Sequence, residues 1–188
     1  MSGAGKSTVS RVFAENGFYA VDCDLSAREV VKPGSPALAE LRERFSRDVI
    51  LPDGSLDRRA TSELIFRDPE KRALFNKIIY PYITYNITEK IKLGGGFILL
   101  DAPTLFEARL EFLCGKIVSV VADTDVCAAR ITARDNIPEE LARARLASQH
   151  GAEFYRVRSD FCLENNGTEA ELFAKAAQTA GLLKGKHD

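Results

Sequence analysis

The chain has 188 residues, of which 45% are hydrophobic and 28% charged, a composition typical of a folded globular protein. Its 26 basic and 27 acidic residues give a net charge of −1, which excludes a strongly basic nucleic-acid coat and a polybasic membrane binder. The longest apolar runs, residues 97–100 and 117–122, are too short to span a bilayer.

Helical and strand patterns alternate along the chain. In the first half, helices are predicted over residues 6–16, 25–31, 36–45, 58–66 and 70–93, with one strand over 18–21. Pro81 is expected to interrupt or kink the last of these helices. In the second half, strands are predicted over 97–100, 116–122 and 161–163, with helices over 127–134 and 138–149. Thr168 and Glu171 form a capping-box pattern before a terminal helix through residue 180.

Continuous apolar strands that alternate with helices predict an α/β fold, with a parallel sheet between two layers of helices. We expect residues 1–188 to form a single domain with two subregions. Residues 32–93 contain helical patterns and no strand pattern, which indicates a helical insertion between two strands. Residues 128–158 carry many arginines between two strands, which is typical of a lid.

The N-terminus carries most of a phosphate-binding loop, the pattern G-x-x-x-x-G-K-[ST], whose first glycine would lie one residue before Met1. Glycines let successive backbone N–H groups face phosphate oxygens, and the following helix adds its positive N-terminal dipole. In such a loop Lys6 contacts the β- and γ-phosphates and Ser7 holds Mg²⁺. The alternative is a glycine-rich tail, which the amphipathic helix directly after Lys6 disfavours. The residues expected to bind nucleotide here are Ser2, Gly3, Ala4, Gly5, Lys6, Ser7 and Thr8.

A phosphate loop normally follows a strand inside the sheet, and none precedes this one. We therefore expect the native protein to begin upstream of Met1, with a short apolar strand that ends in glycine.

Two acidic residues follow the first predicted strand. The carboxyl ends of parallel strands line the ligand crevice, so Asp22 and Asp24 are candidates for a general base and its neighbour. A carboxylate is useful for a hydroxyl acceptor, which must lose a proton, so the pair favours phosphorylation of an alcohol over that of a nucleoside monophosphate. The alternative is that Asp24 only caps the next helix.

Further candidates lie later in the chain. Asp101 follows a strand and could contact Mg²⁺, or it could be a structural or capping residue. Arg130 and Arg134 lie four residues apart on one helix face and could stabilise transferring phosphate, or they could form a solvated face with Asp135. His150 and His187 are given no role.

The four cysteines, Cys23, Cys114, Cys127 and Cys162, lack the paired spacing of a zinc site. Together with the absence of a visible signal segment, this predicts buried, reduced thiols in a cytoplasmic protein.

These residues together resemble the dephospho-CoA kinase family over almost the whole chain. The resemblance rests on the truncated loop and on the D-x-D of Asp22 and Asp24. It also rests on segments 27–31, 53–58, 101–107, 145–149 and 165–167, which fall in the family's order. It implies a P-loop NTPase-like fold, nominally a five-stranded parallel sheet whose first strand is missing here, with a helical CoA-binding insertion at 32–93 and a lid at 128–158.

The resemblance also implies a reaction, transfer of the γ-phosphoryl group of ATP to the ribose 3′-hydroxyl of dephospho-CoA. It implies that Asp24 is the base, that Lys6 and Arg134 take part in catalysis, and that ATP and Mg²⁺ are required. Ser7 and Asp101 would bind the metal, and Arg130 and Asn165 would bind the nucleotide. The residues implied on the substrate side are Asp22, Arg28, Arg58, Asp101 and Pro103.

Some positions depart from the family pattern, and other functions remain open. Met1 replaces a glycine, Tyr80 replaces a histidine before Pro81, and Thr104 replaces a leucine. The nearest alternative is a kinase of another small alcohol. A GTPase switch is disfavoured because no N-K-x-D motif follows a strand. A nucleotide-binding protein without catalysis is the third possibility. We expect small-molecule substrates and a monomer or small homo-oligomer.

Overall fold

A computed structural model describes residues 1–185, so His187 lies outside the described residues. Its helices and strands are, in chain order, α1 (Lys6–Glu15), β1 (Tyr19–Asp22), α2 (Cys23–Glu29), α3 (Pro36–Arg44), α4 (Arg58–Arg67), α5 (Pro69–Gly94), β2 (Ile98–Asp101), β3 (Val118–Val121), α6 (Thr124–Asp135), α7 (Glu139–Ala147), α8 (Ala152–Arg158), β4 (Phe161–Glu164) and α9 (Glu169–Lys184). Two short 3₁₀ turns cover Arg47–Val49 and Glu111–Leu113.

The chain divides into two compact units. Unit 1 contains residues 1–20 and the described residues from 96 onward, and unit 2 is Val21–Gly95. Unit 2 is broader than the predicted insertion at 32–93, because it also includes α2 and the end of β1.

The four strands that the structure describes form two short pairs. β3 and β4 are parallel, with Val118 opposite Phe161. β2 pairs with β1, and the Tyr19 amide donates to the Phe97 carbonyl at 2.8 Å. In the part of the chain that the structure describes, the two pairs are not joined into one sheet. The strand expected upstream of Met1 stays a prediction. It is none of the four described strands, and the two pairs do not form one complete sheet without it.

Helix α1 explains how unit 1 is held together. Its buried face consists of Val9, Val12 and Phe13, at the spacing that the sequence predicts. This face packs against both β2 and β3, and α9 packs on α1 from the C-terminal end of the chain. The apolar core continues through Ile131 on α6. The α/β fold with parallel strands is therefore confirmed, although its sheet is in two pieces.

Unit 2 has its own core, in which Leu38 and Leu41 of α3 meet Ile78 and Ile79 of α5. Helix α5 runs through Pro81 without interruption, so the predicted interruption is wrong, and the alternative of a kink stays a prediction. Proline removes one backbone hydrogen bond, but buried isoleucines on both sides of it, Ile79 and Ile87, hold the helix in place.

Three other local predictions need comment. Helix α8 was not predicted, because its seven residues lie in a polar, arginine-rich stretch that resembles a loop. The capping box of Thr168 and Glu171 is confirmed at the start of α9. Cys23 and Cys127 are buried, whereas Cys114 and Cys162 are only half-buried. Among the described residues, no helix combines the length and the apolar character needed to cross a membrane.

Candidate active site

The N-terminal loop has the backbone conformation that a phosphate cradle requires. Gly3 and Gly5 have φ angles of +73° and +101°, values that side-chain-bearing residues rarely adopt. A Cβ atom on Gly3 would lie 2.7 Å from the Cys127 carbonyl oxygen, and one on Gly5 would lie 2.6 Å from the Asn165 amide nitrogen. Both glycines are therefore required by conformation and by space.

Helix α1 begins directly after this loop. Its N-cap, Gly5, provides no side-chain cap for the first-turn amides. The Thr8 N–H donates to the Gly5 carbonyl at 3.1 Å, but the first amides of a helix have no partner in its regular hydrogen-bond pattern. These amides and the helix dipole favour an anion at this end.

Lys6 lies in the first turn of α1, and its ammonium group forms an ion pair with the Asp101 carboxylate at the end of β2. Both side chains are partly exposed, so neither is sealed away from a ligand. An ammonium group has three donors, and the Asp101 contact uses one of them. The pair brings two predicted site residues together, 95 positions apart in sequence.

Two amide side chains, those of Gln149 and Asn165, form hydrogen bonds with the loop. The Ser2 backbone N–H donates to Gln149 Oε1 at 2.9 Å, and Gln149 Nε2 donates to Ser2 Oγ at 2.7 Å. Asn165 Nδ2 donates to the Ala4 carbonyl at 2.8 Å. Ala4 and Asn165 are both buried. No role was predicted for Gln149. Its only signal was its place in the segment 145–149, and a contact across 147 residues leaves no local pattern.

The two predicted lid arginines have different surroundings. Arg130 donates to the carbonyls of Asn165 and Gly167, at 3.0 and 3.4 Å. Arg134 is exposed and forms a double hydrogen bond with Asp135, at 2.7 and 3.0 Å. This bond raises the pKa of Arg134 and lowers that of Asp135. Arg130 therefore contacts residues 165–167, and Asn165 in turn contacts the loop. The contacts described for Arg134 match the alternative prediction that it forms a solvated helix face with Asp135.

In unit 2, Asp22 and Asp24 have separate roles in α2. Asp22 caps the helix by accepting from the Leu25 amide at 2.9 Å. The alternative that Asp24 is the cap is therefore wrong, because the helix begins two residues earlier than predicted. Asp24 lies exposed in the first turn, where capping does not need it.

The other substrate-side candidates are exposed, with one exception. Arg28 lies in the last turn of α2, and Arg58 begins α4 after its Asp57 cap. In unit 1, Pro103 is exposed beyond β2, while Asp101 is half-buried beside Lys6.

The residues around the loop suit a magnesium ion that is held mainly by phosphate. Ser7 is exposed on the first turn of α1, and Asp101 offers a carboxylate within reach of Lys6. Among residues 1–185, no group of three or more metal-ligating side chains is assembled. Mg²⁺ at nucleotide sites commonly uses one or two protein oxygens, with phosphate and water completing its shell.

Comparisons with known proteins agree on one family. A family model described as dephospho-CoA kinase matches residues 2–171. The dephospho-CoA kinase of Enterococcus faecalis is 36% identical over 170 residues, which is 89% of this chain and 85% of that one. The dephospho-CoA kinase of Thermobifida fusca is 37% identical over 178 residues, which is 94% and 89%. The solved structure of TT1252 from Thermus thermophilus gives a TM-score of 0.82 at 28% identity, over 97% of this chain and 93% of that one.

Proposed function

The chain belongs to the dephospho-CoA kinase family, and on that premise we propose that it transfers the γ-phosphoryl group of ATP to the ribose 3′-hydroxyl of dephospho-CoA. The products are coenzyme A and ADP. The observation that supports this most directly is the phosphate loop. Its two left-handed glycines and Lys6 lie at the N-terminus of α1, which has no side-chain cap, an arrangement that favours an anion there.

The proposed chemistry needs little beyond positioning and charge. The 3′-oxygen forms a bond to the γ-phosphorus, the bond from that phosphorus to the β,γ-bridging oxygen breaks, and ADP leaves. Lys6 and the first-turn amides neutralise the phosphate oxygens. We assign Asp24 as the base that accepts the hydroxyl proton, supported by its exposed place in the first turn of α2.

Ser7 and Asp101 are the residues that would hold Mg²⁺, which when bound neutralises charge on the β- and γ-phosphates. Asp101 also keeps Lys6 at the loop through their ion pair. The same carboxylate is thus proposed to serve both the metal and the lysine.

The remaining residues are proposed to bind the two substrates, ATP and dephospho-CoA. Arg130 and Arg134 act on the nucleotide from the lid at 128–158, and the segment at Asn165 lies beside the adenine. The insertion at 32–93 binds the CoA portion, with Asp22, Arg28, Arg58 and Pro103 on the acceptor side. We expect a cytoplasmic monomer or small homo-oligomer that uses neither nucleic acid nor membrane.

The function is tested by a phosphoryl-transfer assay with ATP, Mg²⁺ and dephospho-CoA. We expect coenzyme A as product, and loss of at least about 100-fold in turnover for Lys6→Ala, the effect of removing one preorganised donor. A panel of other small alcohols provides the competing acceptors. Faster transfer to one of these than to dephospho-CoA would replace the proposal with another alcohol kinase.

The role of Asp24 gives a sharper prediction. Asp24→Ala should bind ATP with unchanged affinity but lose transfer by about 10²–10⁴-fold, the usual contribution of a general base. The control is Asp48→Ala, which removes another exposed carboxylate from unit 2. Transfer by Asp24→Ala at the rate of the control would exclude Asp24 as the base.

A further inference from the structure

We propose that Gln149 is a positioning residue that, together with Asn165, holds the phosphate loop in its nucleotide-binding conformation. This inference rests on the proposed function only in taking the loop as the ATP site. It concerns the two amide contacts behind the loop, at Ser2 and Ala4.

Gln149 fixes Ser2 at two points. Its oxygen accepts from the Ser2 backbone N–H at 2.9 Å, and its nitrogen donates to the Ser2 hydroxyl at 2.7 Å. Two bonds from one planar amide define both the position and the orientation of Ser2. A carboxamide can provide an acceptor and a donor together without a net charge. A carboxylate in this place would add negative charge close to a triphosphate.

Asn165 orients the next part of the loop. A trans peptide unit directs its carbonyl and its N–H to opposite sides. Because Asn165 Nδ2 holds the Ala4 carbonyl at 2.8 Å, the Gly5 N–H of the same peptide unit is directed away from Asn165. Gly5 is the N-cap of α1, so this amide points out at the end of the helix where an anion is favoured.

Both amides are carried by firmly packed parts of unit 1. Gln149 follows α7, and its backbone N–H donates to the carbonyl of Leu146. The Leu146 side chain is buried in the core. Asn165 follows β4, and its backbone N–H donates to the Val121 carbonyl at 2.9 Å on the neighbouring strand. The loop is therefore anchored, at Ser2 and Ala4, to segments whose neighbouring residues pack in the core of unit 1. Such preorganisation lowers the ordering cost of binding.

The test compares Gln149→Met, which keeps the side-chain length but removes both bonds, with Gln178→Met on the exposed surface of α9. ATP affinity is measured by calorimetry without dephospho-CoA, beside KM and kcat for both substrates and the thermal midpoint. We expect Gln149→Met to weaken ATP binding by about tenfold and to leave KM for dephospho-CoA unchanged, with a small fall in the thermal midpoint from the two lost hydrogen bonds. Gln178→Met should match the unaltered protein.

Two further variants separate positioning from general packing. Gln149→Glu keeps an acceptor for the Ser2 amide but places a negative charge close to the triphosphate, so it should bind ATP at least as weakly as Gln149→Met. Ser2→Ala combined with Gln149→Met should be no worse than Gln149→Met alone, since both remove one shared contact. Unchanged ATP affinity in Gln149→Met, or additive losses in the double variant, would overturn the inference. Failure to make coenzyme A with ATP binding intact would instead count against the proposed function alone.

Discussion

At the scale of single residues, Gly5 is constrained both by its backbone conformation and by its neighbours. Its φ of +101° is costly for any residue with a Cβ, and a Cβ there would meet both Asn165 Nδ2 and Leu172 Cδ2, at 2.6 and 2.8 Å. Gly54 shares the left-handed backbone, with a φ of +81°, but has nothing within 4 Å. The two glycines therefore allow the cost of backbone strain to be separated from the cost of a clash.

We predict that Gly5→Ala lowers ATP affinity by at least tenfold, because backbone strain of about 1–3 kcal/mol is joined by displacement of Asn165. Gly54→Ala should lose only the strain and bind ATP normally. Calorimetric titration and urea unfolding of both variants measure the two effects. Equal ATP affinities for the two variants would show that the contact with Asn165 has no part in binding.

At the scale of elements, α2 is held against α5 by a half-buried ion pair. Lys90 Nζ donates to Glu29 Oε2 at 2.6 Å and to the buried Ser26 hydroxyl at 3.0 Å. The hydrogen bond from Lys90 is the largest cause that lowers the pKa of Glu29. Because α2 also carries Asp24, this contact fixes the helix on which the proposed base lies.

We predict that Lys90→Met lowers the free energy of unfolding by about 1 kcal/mol at pH 7. A carboxylate whose pKa is lowered on folding stabilises the protein above its unfolded pKa, near 4.3, and stops doing so as the pH falls through the lower folded value. The difference between the variant and the unaltered protein should thus be constant near neutrality and shrink below about pH 4. Urea unfolding from pH 7 to pH 3 measures it.

Lys92→Met is the matched control, since Lys92 lies on the same helix but forms an exposed pair with Glu89. We expect a much smaller loss for this variant. A loss in Lys92→Met as large as that in Lys90→Met would show that α5 is weakened by the substitution itself.

At the scale of the whole molecule, the described residues form two cores. Ile131 and Phe13 belong to the core of unit 1, and Leu41 and Ile78 to that of unit 2. Every contact described around the phosphate loop lies within unit 1. Damage to the core of unit 2 is therefore expected to act on stability before it acts on nucleotide binding.

We predict that Leu41→Ala destabilises the protein by about 2–5 kcal/mol, since Leu41 is fully buried. Leu51→Ala, at a position that is 40% exposed, should cost far less. Both variants should bind ATP with unchanged affinity at temperatures where they remain folded. Urea unfolding and calorimetry provide the measurements, and a tenfold loss of ATP affinity in folded Leu41→Ala would contradict the separation of the two cores.

Local patterns explain how much of this could be predicted from the sequence. The apolar face of α1 and the capping box of α9 each lie within a few consecutive residues, and both predictions are confirmed. The loop is equally local in sequence, and its role in binding nucleotide stays a prediction. The contact of Lys90 with Ser26 and that of Gln149 with Ser2 span 64 and 147 residues. No periodicity encodes such contacts, so the packing behind the site and the break in the sheet had to come from the structure.

The contact between Ala4 and Asn165 has a consequence for the order of events during protein synthesis. The two residues are 161 positions apart. At the usual synthesis rate of 5–20 residues per second, roughly 8–32 s separate their appearance. During that interval the loop lacks the amide that orients Gly5. A growing chain therefore cannot complete the contacts that orient its phosphate loop until residue 165 has been synthesised.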